Sequence, residues 1–430
     1  MNFVFSNRAK IISFILMAIG VVALVVGIFT DGSDHHGRLW SNLLINGFYF
    51  LGISLGALFF YALSFATETA WAVTLRRVME GIFSFIPVAA VVLIVVFFAS
   101  SMHWNHIYHW MDEATVSEFV AESTIDSDHP TYFKDKEAAS KAEEAGTAVV
   151  FNDAHYDEII ANKTAYLNTP FFWIRTIIYL GAFIFFARWF RKRSLEEDAT
   201  GDVGLHFKGY KRGALFLVIF AVFSSTMSWD WIMSIDTHWF STLFGWYVFS
   251  GMWVSAMNII AIVALYLISK GYLKEINSSH IHDVGKWIFA LSFLWTYLWF
   301  SQFMLIWYSN IPEEVTYFTA RIANYQVPFF GMMLINFIVP MVFLMSRDAK
   351  RNPRFLIFVG TIVFIGHFLD TYMLVTPGVM FEDWDFGFLE IGLLLGFLGL
   401  FINRVLTTLT KAPLVPKESP YLDESLHHSI

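Results

Sequence analysis

Ten mostly apolar runs succeed one another along the chain, at 11–30, 42–65, 82–102, 170–190, 213–234, 241–269, 287–308, 327–346, 354–375 and 386–409. A helix needs about 20 such residues to cross a bilayer. The pattern predicts an all-α polytopic membrane protein with ten transmembrane helices. Short polar turns join the runs everywhere except at 103–168, one long loop. The first run has no small-residue cleavage site after it, so it is expected to stay as a helix rather than be removed as a signal peptide.

Charge orients the spans. If the N-terminus lies in the cytoplasm, the inner turns hold 21 of the 28 Lys and Arg residues, among them Arg8, Arg76, Arg77, Arg191, Lys350 and Arg404. The positive-inside rule then places both termini in the cytoplasm, as an even count of spans requires. The long outer loop is acidic, with thirteen Asp or Glu against four Lys. Its stretch 134–145 is expected to form a short exposed helix. It is either a solvated face or a docking surface for a basic partner. The tail from Pro413 onward is polar and is expected to be extended and clasped by a neighbour.

Composition narrows the chemistry. Hydrophobic residues make up 57% and charged residues 15%, against roughly 25% charged in soluble domains, so the chain reads as one membrane unit. The 47 Phe and 16 Trp fit a lipid-facing surface with aromatic belts. With no cysteine, disulfides, thiolate-held iron–sulfur clusters and C-x-x-C-H haem attachment are excluded. Two haems b would need paired histidines on facing helices, but only His367 lies well inside a span. The chain is expected to hold no redox cofactor or metal of its own.

Ionisable groups at or inside a bilayer are costly and tend to mark proton, ion or substrate paths. The turn 228–246 brings Asp230, Asp236 and His238 to the outer boundary. A polar interface turn with Asp236 capping a helix would use the same residues. The ninth span carries His367 and Asp370 on one helix face. This is either a structural pair or a proton relay, since an imidazole and a desolvated carboxylate can pass a proton. Glu390 and Arg175 lie near outer span ends, where Arg175 either snorkels or pairs with an outer acid. Glu68 and Glu80 flank Arg76 and Arg77 on the inner side, as an ion-pair cluster or the inner mouth of a half-channel. Ser224, Ser225, Thr226, Asn258, Tyr297, Gln302 and Asn336 lie between the layers and could hold water.

Two segments carry a resemblance. Ser-Trp-Asp-Trp-Ile-Met-Ser-Ile-Asp-Thr-His-Trp-Phe-Ser-Thr (228–242) and Trp-Tyr-Ser-Asn-Ile-Pro-Glu-Glu (307–314) resemble the large membrane subunits of alternative complex III, within the NrfD/polysulfide-reductase membrane-subunit superfamily. The long acidic loop is similar to that of the ActF-type subunit. The resemblance implies two four-helix bundles, spans 2–5 and 6–9, flanked by spans 1 and 10. The corresponding divisions are 1–41, 42–234, 235–375 and 376–430. It implies a bacterial inner-membrane complex that oxidises quinol and delivers electrons to cytochrome c or an oxidase. Iron–sulfur clusters and c-type haems would sit in partner subunits, beside a paralogous membrane subunit and a terminal oxidase; nucleic acid is not among the expected partners. The chain itself is expected to be cofactor-free and to offer a proton path. Two other readings stay open: a subunit that hosts the quinol site itself, and a stand-alone secondary transporter. Broken mid-membrane helices would mark the transporter, but Pro87, Pro328 and Pro340 are isolated or near span ends.

Overall fold

The computed structural model of the chain describes residues 3–116, 121–123, 132–133, 141–142, 149–151 and 157–429. Ten helices among them are long and apolar enough to cross a membrane: α1 (Asn7–Thr30), α2 (Gly37–Ala66), α3 (Ala70–Ser101), α4 (Thr169–Thr200), α5 (Val203–Ile235), α6 (Phe244–Ser269), α7 (Ser278–Ser309), α8 (Gln326–Phe343), α9 (Pro353–Met380) and α10 (Phe388–Leu409). The protein is an integral, multi-pass membrane protein of the all-α class. Several helices run beyond their apolar cores because polar caps extend them. Asn168 caps α4 by accepting from Phe171 N, and Gly201, at φ +66°, ends it. Asp202 then caps α5 through Gly204 N. Left-handed backbone without strain is what glycine supplies at such a C-cap.

Helices α2–α5 pack as one ring and α6–α9 as a second. Helix α2 is the most buried span and joins the two bundles by packing on α6 and α9. Close approach there depends on glycine. A Cβ at Gly56 would lie 2.5 Å from the Met252 carbonyl oxygen. Helix α1 packs on α10 outside both bundles. A Cβ at Gly20 would lie 2.4 Å from Gly396 Cα, the close contact that small residues permit between membrane helices.

Helix α8 is irregular. Residues Leu334–Ile338 form a π-turn, closed by Val339 N–H donating to Leu334 O. Pro340 follows and has no N–H to give to the Asn336 carbonyl, so the regular ladder fails there.

The long loop leaves one face of the molecule, here the loop face. Three short strands, β1 (Ala121–Ser123), β2 (Tyr132–Phe133) and β3 (Val149–Phe151), form an antiparallel sheet in the order β2-β1-β3. Most of the expected helix at 134–145 lies outside the described residues. Both termini lie on the opposite face. The tail folds back on its own chain: Lys417 N donates to Asp198 Oδ1 at 2.9 Å, Ser425 Oγ to Trp71 O at 3.1 Å, and His428 Nε2 meets Asp283 Oδ2 at 2.6 Å.

Candidate functional site

The expected outer polar groups sit in separate places, each with its own partner. In the first bundle Arg175 of α4 holds Asp230 of α5 with two bonds, Nε to Oδ2 at 2.7 Å and Nη2 to Oδ1 at 3.1 Å. Tyr179 Oη adds a third, at 2.9 Å. Asp230 is fully buried, and the Arg175 guanidinium is packed over the Tyr166 and Phe171 rings. Arg175 therefore pairs rather than snorkels. A bidentate pair with a further hydrogen bond to the carboxylate is the kind of arrangement a buried charge requires.

Glu390 is also fully buried. It takes Arg38 Nε and Nη2, both at 2.8 Å, and Asn42 Nδ2 at 3.0 Å, while accepting from Gly387 N at 2.7 Å at the start of α10. His238 lies apart, exposed, with Nε2 2.5 Å from Asp157 Oδ2 of the long loop.

The second bundle holds a different kind of site. Asp370 of α9 accepts from Tyr247 Oη on one oxygen and from Trp295 Nε1 on the other, at 2.9 Å. His367 Nδ1 is 3.5 Å from Asp370 Oδ2. Neither ring nitrogen of His367 makes a hydrogen bond to protein: the pair is close enough for a charge interaction but not aligned for a bond. Asp370 lies between two cavities of about 20 Å³ each. One, between the bundles, is lined by Tyr49, Gly251, Ser255 and His367. The other, inside the second bundle, is lined by Tyr247, Gln302, Tyr317 and Arg321. Each has room for about one water.

Arg321 closes the loop-face end of the second cavity. It lies on the short helix Pro312–Asn324 before α8. Its Nη2 donates to Asp236 Oδ2 at 2.8 Å, and its Nε to Met373 O at 3.2 Å. The guanidinium stacks 3.4 Å from the Tyr317 ring centroid, and Trp239 stacks on the far side of that ring at 3.8 Å. Burial opposes the Arg321 charge, yet Tyr317 and Asp236 outweigh it and raise its pKa above the ordinary arginine value.

Buried polar atoms continue from His367 toward the termini face. Asn336, in the π-turn, presses on α9, where a Cβ at Gly366 would lie 2.1 Å from its Oδ1. Ser292 is one turn from Trp295 on α7. Asn258 faces Gly360, two turns from His367 on α9. Both Asn336 amide atoms, Ser292 Oγ and Asn258 Oδ1 are buried without a protein partner. Buried polar atoms are nearly always hydrogen-bonded, so these four stand out within the second bundle.

The two inner acids part company. Glu80 is fully buried and bound by Arg77 Nη1 at 2.7 Å, by Tyr61 Oη at 3.2 Å and by Arg191. Glu68 is exposed, in the left-handed turn after α2. Arg77 also reaches Asp198, so the Glu80 cluster is an ion-pair network at the termini face. Of the partners that complete these sites, Arg38, Arg321, Tyr179, Tyr247 and Trp295 were not singled out by sequence. Compared with known proteins, the chain matches no family model and no curated sequence.

Proposed function

We propose that this chain is an integral membrane subunit of a respiratory quinol:cytochrome c (or oxidase) oxidoreductase of the alternative complex III type, and that its second bundle conducts protons. The observation that carries the proton reading is the Asp370 carboxylate, set between two water-sized cavities and beside an imidazole with both nitrogens free of protein bonds. The segments 228–242 and 307–314 support membership of the complex. In this reading the termini face the cytoplasm of a bacterial inner membrane, and partner subunits carry the iron–sulfur clusters and c-type haems.

The route uses groups of this chain alone. Asp236 and Arg321 form its loop-face end. Water in the Gln302 cavity carries the proton past Arg321 to Asp370; the guanidinium stays charged and only orients Asp236 and that water. Tyr247 and Trp295 hold the carboxylate in place, and His367 takes up the proton for the column through Asn336, Ser292 and Asn258. Cavities of this size take water, whereas sites for drug-sized ligands run to roughly 300–1,000 Å³. In this reading quinol oxidation belongs to another subunit of the complex.

The π-turn in α8 favours the stand-alone transporter, because transporter sites are built on interrupted helices. Purification in mild detergent separates the two readings. A complex subunit brings haem-bearing proteins with it, with their absorbance in the same peak. A transporter elutes without them, and that result would remove the proposal of a respiratory complex.

A further inference from the structure

Five histidines, His35, His36, His103, His106 and His109, gather on the loop face outside both bundles. The His35 ring meets the His106 ring edge-on, with centroids 4.3 Å apart. His106 and His103 both turn Nδ1 toward Asp112, at 3.0 and 3.1 Å. His109 is half-buried one turn further along. Its ring packs on Phe381, three residues along from Gly378, where a Cβ would lie 3.0 Å from Asp236 Oδ1. The cluster thus reaches from exposed His35 and His103 toward Asp236, which Arg321 holds at 2.8 Å.

The backbone bends to build this cluster. Among the described residues, seven other than glycine have positive φ, and four are here: His35 (48°), His36 (54°), His103 (56°) and Phe381 (48°). The Phe381 ring packs against His109 at 6.2 Å. Left-handed backbone is disfavoured for residues with a Cβ, and such outliers collect at functional sites. Asp31 fixes the first bend. Its Oδ1 accepts from Ser33 N at 3.0 Å and its Oδ2 from Leu39 N at 2.9 Å, which sets His35 against His106. The other charged groups around the cluster are Asp157, bound to His238, Lys163, bound to Thr237 O, and the Asp236–Arg321 pair.

We propose that this cluster is the port through which protons pass between the Asp236–Asp370 route and the water on the loop face. It rests on the proton-conducting reading above. Imidazole suits the task because it gains and loses a proton between about pH 5 and 8. Each step moves one proton from one imidazole or carboxylate to the next and consumes nothing else.

The test uses the intact complex in lipid vesicles, with turnover and proton yield followed across pH 5.5–8.5, a range chosen to bracket the imidazole titration. Three forms are compared: unaltered, His103→Asn/His106→Asn/His109→Asn, and Asp370→Asn. The triple variant is expected to lose several-fold in proton-coupled turnover, most at alkaline pH, and to recover when free imidazole is added. Loss without rescue by imidazole means a structural cluster and overturns the proposal. So does an unchanged pH profile in the triple variant while Asp370→Asn is impaired. If Asp370→Asn is itself unimpaired, the proton-conducting reading fails, and this inference with it.

Discussion

Arg321 and Asp236 meet at 2.8 Å across the loop-face end of the second bundle, 85 residues apart in the chain. The arginine is almost fully buried, while Asp236 keeps a quarter of its side chain in contact with solvent. Breaking a buried pair costs roughly 3–5 kcal/mol. Arg321→Met should fall at the low end, because water still reaches Asp236. Thermal unfolding in detergent should show it, with a larger loss for Asp236→Asn, which leaves the buried guanidinium without its counter-charge. A loss for Arg321→Met with none for Asp236→Asn would mean that Arg321 acts mainly through packing on Tyr317.

The first bundle should behave differently. Asp230 is fully buried and held by three bonds from Arg175 and Tyr179, as the counter-charge of a buried guanidinium. Asp230→Asn should lower stability by roughly 3–5 kcal/mol and reduce the assembled fraction. Turnover per assembled complex should stay unchanged. A specific loss of turnover would bring the first bundle into the mechanism.

The three arginines on the loop face explain what was legible in the sequence. Arg38, Arg175 and Arg321 lie where basic residues are scarce, and each binds an acid: Glu390, Asp230 and Asp236. The acids stand out by sequence because they lie at the ends of apolar runs. Their partners do not, since Arg38 and Glu390 are 352 residues apart and only the helix packing brings them together. An arginine against the charge bias was the available signal, and it was read only for Arg175. The ten spans follow from hydropathy. The π-turn does not: Pro340 looks isolated in the sequence, and its effect depends on the carbonyl it leaves unpaired. Tyr247 and Trp295 are lost among many aromatic residues until the fold aims them at Asp370.

Acid should loosen the loop face. Burial holds the His109 pKa below 6.5. Between that folded-state value and 6.5 the unfolded chain binds the proton and the folded chain does not. Stability is therefore full above 6.5 and falls as the pH drops through this window. Melting temperatures measured from pH 7.5 to pH 5, chosen to span the histidine range, should fall less for His109→Gln. An identical slope in both proteins would mean that other groups set the acid response.

The contact between α8 and α9 has no spare room. Gly366→Ala would bring a Cβ to 2.1 Å from Asn336 Oδ1 and 2.5 Å from Ile335 Cγ2. Overpacking of this kind costs roughly 1–3 kcal/mol. Adding Asn336→Ala should recover part of the loss, which a double-mutant cycle on melting temperature reads directly. No recovery would mean that Ile335, not Asn336, bears the clash.

The central claim is that Asp370 carries protons, and it is best tested by turnover and proton yield per assembled complex in vesicles with Asp370→Asn, with and without a membrane potential. Asparagine keeps the shape and can still accept from Tyr247 or Trp295, but it cannot take up the proton. We expect normal assembly with turnover or proton yield down by roughly 10²-fold, the low end for a lost positioned proton carrier. Unchanged turnover and unchanged proton yield in the assembled variant would leave Asp370 and His367 a structural pair and the second bundle without a proton route.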